Sequence, residues 1–125
     1  MRALAFAVFV LLHTNTQVSA TILSGNELLT SCEALLSGAR HEEGGTITIS
    51  PAGGECWTYL KAVQDLVVMT NANGERYLQV CAPPKSTLLQ IVRIVTDYAR
   101  SHPSELHQRA GQVAILALSN AFGCR

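Results

Sequence analysis

The sequence predicts an all-α fold: a small domain in which a helical hairpin carries two further packed helices, four in all, tied by two disulfides. Three observations carry this. Apolar residues recur at helical spacing in four separate stretches of the chain of 125 residues. The last two stretches, between Cys81 and Cys124, are joined only by the short break Ser101-His102-Pro103-Ser104-Glu105. An even number of cysteines, four, follows an export-type leader, and in a small exported chain that argues for disulfides.

The leader is read from residues 1–20. Arg2 precedes an apolar run over residues 3–12, and a polar stretch then ends in Val18-Ser19-Ala20, with small residues where a signal peptidase cuts. Cleavage is expected after Ala20, leaving residues 21–125 as a single domain, too short for two. Losing Arg2 from nine Lys+Arg set against nine Asp+Glu leaves a net charge of about −1. Such a balance gives no electrostatic footprint for nucleic acid or anionic lipid. No later apolar run approaches the ~20 residues of a membrane span, so no membrane partner is expected after cleavage. Disulfides in a bacterium place the product in the periplasm.

The first helix is expected from Ser24, whose spacing to Glu27 is that of a capping box. Leu28, Leu29, Cys32, Leu35 and Leu36 follow at helical spacing, and Gly38 is suited to end the helix. Residues 39–55 lose the helical period and carry Gly44-Gly45, an alternating TITIS, Pro51 and Gly53-Gly54, which predicts a long loop with at most a short extended piece. The second helix is expected over about residues 55–69, with Cys56, Leu60, Val63 and Val67 on one face and Lys61, Gln64 and Asp65 facing away. Trp57 is the only tryptophan and is expected to pack in the first turn against the core. Asp65 has no evident partner.

Asn73-Gly74 marks a turn, and Pro83-Pro84 forbids helix before the third element. Thr87 and Gln90 repeat the capping box. Leu88, Ile91, Val92, Val95 and Tyr98 form the third apolar stripe, with Arg93, Thr96, Asp97 and Arg100 opposite and Arg93 and Asp97 spaced to pair. Pro103 fits the first position of a fourth helix, along which Leu106, Ala110, Val113, Ala117 and Ala121 share a stripe. Its alanines leave a low-relief face for the third helix. A short connection makes the two antiparallel, so Cys81 and Cys124 come to the same end. Of the three pairings open to four cysteines, this geometry favours Cys81–Cys124 with Cys32–Cys56.

No hydrolase, nucleotide-binding or metalloprotease motif is present. The cysteines contain no C-x-x-C, and His102 and His107 are spaced wrongly to share a helical face as metal ligands. The residues therefore point to a binding module, with no catalytic residue, cofactor or metal. A thiol–disulfide enzyme is disfavoured by the absence of C-x-x-C.

Several of these residues together resemble a known family. The order is Cys81, a helix ending in Tyr98-Ala99, then Ser101-His102-Pro103-Ser104-Glu105-x-His107, then an alanine-rich helix closing in Ala121-Phe122-x-Cys124. Upstream stands Cys56-Trp57-Thr58-Tyr59-Leu60-x-Ala62-Val63-x-Asp65. The pattern resembles the Rap/Tai-type immunity proteins of bacterial type VI secretion, with Ala62 in place of a usual glycine and Gly123 in place of a usual proline. The resemblance implies a periplasmic, non-enzymatic α-helical protein, often a homodimer, that binds and blocks a cognate peptidoglycan amidase effector. It also directs attention to the tip between the third and fourth helices, Ser101, His102, Ser104, Glu105 and His107, as the partner-facing segment. The alternative is a periplasmic structural or adaptor protein of the same fold without a toxin partner.

Overall fold

The structure is a computed structural model, and it describes residues 21–38, 40–41 and 47–125. The expected signal segment, with its cleavage site at Ala20, lies outside the described residues, as do parts of the expected loop. The architecture is all-α, built from α1 (Gly25–Gly38), α2 (Pro51–Val67), α3 (Leu88–Ser101) and α4 (Ala110–Phe122). A minimal antiparallel ribbon, β1 (Arg40–His41) and β2 (Ile47–Thr48), pairs Arg40 with Thr48 and His41 with Ile47 between α1 and α2.

Both expected capping boxes form. The Ser24 hydroxyl accepts from Glu27 N at 3.4 Å while Glu27 Oε2 accepts from Ser24 N at 2.8 Å. At α3, Thr87 Oγ1 accepts from Gln90 N and Gln90 Oε1 accepts from Thr87 N. Gly74 carries the one positive φ among the described residues, 81°, and closes a turn in which Asn71 Oδ1 accepts from the amides of Asn73 and Glu75.

α2 starts at Pro51, about a turn before the expected position, because Ser50 caps it: the Ser50 hydroxyl accepts from Gly53 N at 3.1 Å, and Pro51 occupies the first turn, where its missing amide is not needed. Gly53 and Gly54, which suggested a loop, lie inside this helix, while Gly44 and Gly45 lie outside the described residues. Gly53 is buried against α1, where an added Cβ would meet Leu35 Cα at 2.9 Å, so its small size sets how closely α1 and α2 approach. Trp57 falls beside the buried stripe of Cys56, Leu60, Val63 and Val67 and is 41 % exposed, against the expectation that it packs in the core. Asp65 does have a partner, Lys61 one turn earlier, a surface pair of the kind that contributes little.

α3 is contacted by α1, α2 and α4. Its buried face is therefore wider than one stripe. Ile91, Val92, Val95 and Ala99 are fully enclosed, and so is Thr96, which had been expected on the outer face; its hydroxyl donates to Val92 O at 2.7 Å and is thereby satisfied. The expected Arg93–Asp97 pair does not form. Asp97 instead lies 3.7 Å from Arg100, whose Nε donates to Glu33 of α1 at 2.9 Å.

The two disulfides are Cys32–Cys56, joining α1 to α2 within the core, and Cys81–Cys124, joining the approach to α3 with the end of α4. Beside the second, Val80 pairs with Gly123 and Cys81 N donates to Phe122 O at 2.6 Å. Closing loops with sequence separations of 24 and 43, the bridges should each stabilise by roughly 3 to 4 kcal/mol.

The close approach at Gly53 gives opposite expectations for two glycines. Gly38→Ala, with nothing within 4 Å of the new Cβ, should stabilise by about 0.4 to 1 kcal/mol, whereas Gly53→Ala should destabilise by about 1 to 3 kcal/mol through overpacking. Urea unfolding of the two variants checks this, and a stabilised Gly53→Ala would contradict the packing described.

Candidate partner-binding surface

The fourth helix does not begin at Pro103 as expected. Pro103–Glu105 form a 3-10 turn, Leu106–Gln108 turn again, and α4 starts only at Ala110. The cause is tertiary. The segment before α1 runs antiparallel to this stretch, with Ser24 bridged to Arg109, and takes up its backbone groups: Gly25 N donates to Gln108 O at 2.9 Å, Asn26 N to Leu106 O at 2.9 Å, and Ala110 N to Leu23 O at 3.0 Å. An α-helix through this stretch would use those carbonyls internally and leave the first amides of α1 without partners. Gly25 permits the approach, since a Cβ there would lie 3.0 Å from Leu106 Cα and 2.9 Å from Val113 Cγ2.

Inside this clamp Tyr98 organises the tip. Its hydroxyl donates to Glu105 Oε2 at 2.9 Å across the break, and its ring stacks on His102 with centroids 3.9 Å apart and 15° between planes. Its carbonyl accepts from His102 Nδ1 at 2.8 Å and from the Ser101 hydroxyl at 3.0 Å, the latter donating also toward Asp97 O at 2.8 Å. Burial, followed by the hydrogen bond to Glu105 and its charge, raises the Tyr98 pKa above the ordinary tyrosine range.

Of the five tip residues expected from the sequence, Tyr98 joins Ser101, His102 and Glu105. His102 and Glu105 are half-buried and held by Tyr98, Ser101 is exposed with its hydroxyl directed at backbone carbonyls, and Ser104 and His107 are exposed. Chemically the cluster is a shaped surface. The 3.2 Å approach of Ser101 Oγ to His102 Nδ1 is not a nucleophile–base pair, because Nδ1 must carry a proton to donate to Tyr98 O and so cannot take one from the serine. Among the described residues no group of three or more His, Cys, Asp or Glu is placed to hold a metal ion, and no helix is long and apolar enough to cross a membrane.

A shallow cleft of about 310 Å³ runs from the tip down the α3–α4 seam past Asp97, Ser101, His102 and Ala117 to Ile94. At the far end of the molecule, Leu66, Val68, Met69 and Tyr77 stand exposed, linked by Tyr77 N donating to Met69 O. Neither surface was named from the sequence. Tyr98 had been assigned only to a core stripe, and the seven-residue step to Glu105 is invisible to helical periodicity because the break intervenes.

Glu27 anchors the clamp. It accepts from the amide of Ser24, the amide of Leu23 and the Ser24 hydroxyl, in that order of effect, and these hold its carboxyl below the usual glutamate range. A lowered folded pKa contributes stability that is present above the unfolded pKa and lost as pH falls through the folded one. Glu27→Gln is therefore expected to lower Tm at neutral pH and to flatten the fall of Tm between about pH 5 and pH 3. A pH profile of Tm that the substitution leaves unchanged would contradict the role given to Glu27.

A family model described as Rap1a immunity proteins matches residues 24–124, from the residue that caps α1 to the last disulfide cysteine. No curated protein and no solved structure matches the chain. The matched span covers the capped α1, both bridges and the whole tip, so the chain belongs to the Rap1a immunity protein family, whose role is immunity against secreted effectors and whose members are generally non-enzymatic.

Proposed function

We propose that this protein is an exported antidote that binds and blocks a peptidoglycan amidase effector of type VI secretion in the periplasm. The observation that carries the reading is the immunity-family match over residues 24–124; the amidase as target rests on the resemblance to Rap/Tai-type proteins. Export is supported by the leader-like residues 1–20 and by the pairing of all four cysteines in disulfides, which persist in an oxidising compartment. Inhibition asks for no catalysis. A tip held by backbone pairing at its base and by Tyr98 within enters an active-site cleft with little ordering cost, and Ser101, His102, Ser104, Glu105 and His107 are the residues assigned to that contact. Ser104 and His107 point outward and meet the enzyme, while His102 and Glu105 keep the tip in shape.

The homodimer implied by the same resemblance is proposed as well, and sedimentation of the exported protein would read it. For the inhibitory contact, the test is the affinity of the exported protein for the amidase encoded beside it, together with inhibition of peptidoglycan cleavage. Ser104→Tyr with His107→Ala should weaken binding at least about 10-fold and leave Tm nearly unchanged, both side chains being exposed. Undiminished affinity in this variant would remove the tip from the interface. Failure of the unaltered protein to bind any neighbouring amidase would favour the adaptor reading.

A further inference from the structure

At the opposite end of the α3–α4 seam from the tip, a second cleft of about 440 Å³ lies beside the Cys81–Cys124 bridge. Its apolar lining comes from Pro83, Ile94 and Phe122, and Lys85 and Arg93 supply its charge. No acidic residue lines it, and neither cation has a carboxylate within ion-pair distance among the described residues: Asp97, spaced to pair with Arg93, is turned to Arg100 instead. Gln90 also lines the cleft. Its Oε1 is committed to Thr87 N, which leaves its amide NH₂ as a further donor. The Gln90 backbone amide is already satisfied by Thr87 Oγ1, so Gln90 contributes through its side chain.

We propose that this cleft receives an acidic segment of the protein partner, a Glu or Asp side chain meeting Lys85, Arg93 and the Gln90 amide, with an adjoining apolar side chain on Phe122 and Ile94. The inference deepens the effector-binding reading and rests on it. Charge complementarity selects the occupant. Two unpaired cations and a neutral donor over apolar walls suit one or two carboxylates of a folded protein, whereas a chain with nine basic and nine acidic residues offers no extended basic face for a polyanion. The two clefts share Ile94, so a partner seated at the tip reaches this second anchor along the α3–α4 seam. The Cys81–Cys124 bridge and the Cys81–Phe122 hydrogen bond fix the lower wall before the partner arrives, so little ordering is required on binding.

The test measures affinity of the exported protein for the neighbouring amidase as Lys85→Glu, Arg93→Glu and the double variant, with Tm as a fold control, since both side chains are exposed and unpaired. Each single reversal should weaken binding about 10-fold and the double about 100-fold or more, and binding by the unaltered protein should weaken with added salt more steeply than that of the double variant. Reversal of an acidic residue on the amidase to Lys should restore affinity to Arg93→Glu. Binding by the double variant within about twofold of the unaltered protein, at unchanged Tm, would overturn the cleft while leaving the antidote reading intact. Absence of binding by the unaltered protein would sink both. Co-sedimentation with phosphatidylglycerol vesicles that depends on Lys85 and Arg93, beside an amidase affinity that does not, would assign the cleft to a lipid surface and equally overturn the proposal.

Discussion

The antiparallel pairing between the segment entering α1 and the stretch entering α4 is the interaction on which the rest depends. Helix starts leave amides without intrahelical partners, and here two elements far apart in sequence relieve each other: the carbonyls of Leu106 and Gln108 take the amides of Asn26 and Gly25, and Leu23 O takes the amide of Ala110. The consequence is a tip that is neither helix nor free loop. Gly25 is tight against both Leu106 and Val113, so the clamp also fixes where α1 meets α4. Within the tip, the Tyr98–Glu105 hydrogen bond and the Tyr98–His102 stack join the end of α3 to the turn that follows it.

The disulfides divide the remaining work by position. Cys32–Cys56 is enclosed in the core and holds α1 on α2, near the level where Gly53 allows the closest approach. Cys81–Cys124 closes the other end of the hairpin and, with the Val80–Gly123 pairing, keeps α4 from fraying where its last residues wall the cationic cleft. In a small domain with a limited core such cross-links matter, because they act on the unfolded chain as well as on the folded one. The α3–α4 seam is thereby supported at both ends, the condition a protein needs to present a long contact surface without ordering it on binding.

Much of this was legible in the sequence wherever local chemistry decides. Ser24 with Glu27 and Thr87 with Gln90 announced two helix starts, Gly74 a turn, and the cysteine count a two-bridge framework. What was not legible was set by distant neighbours. Gly53 read as loop because its helical place depends on Leu35 of another helix, and Thr96 read as solvent-facing because a one-sided stripe cannot show that α3 is covered from several sides. The late start of α4 follows from backbone partners some eighty residues upstream in the chain, which no local pattern encodes. The tip residues were singled out only through the resemblance; the contacts Tyr98 makes with His102 and Glu105, and the Lys85–Arg93 cleft, became visible only in three dimensions.

The central claim is that the tip is held in shape before any partner arrives, and backbone amide hydrogen exchange in the free protein tests it most directly. Protection at Gly25, Asn26 and Ala110, whose hydrogen bonds form the clamp, should match that of α3 amides such as Val95, because clamp and core would open together. Exchange at those three amides at the rate of an unprotected loop, beside a protected α3, would contradict it.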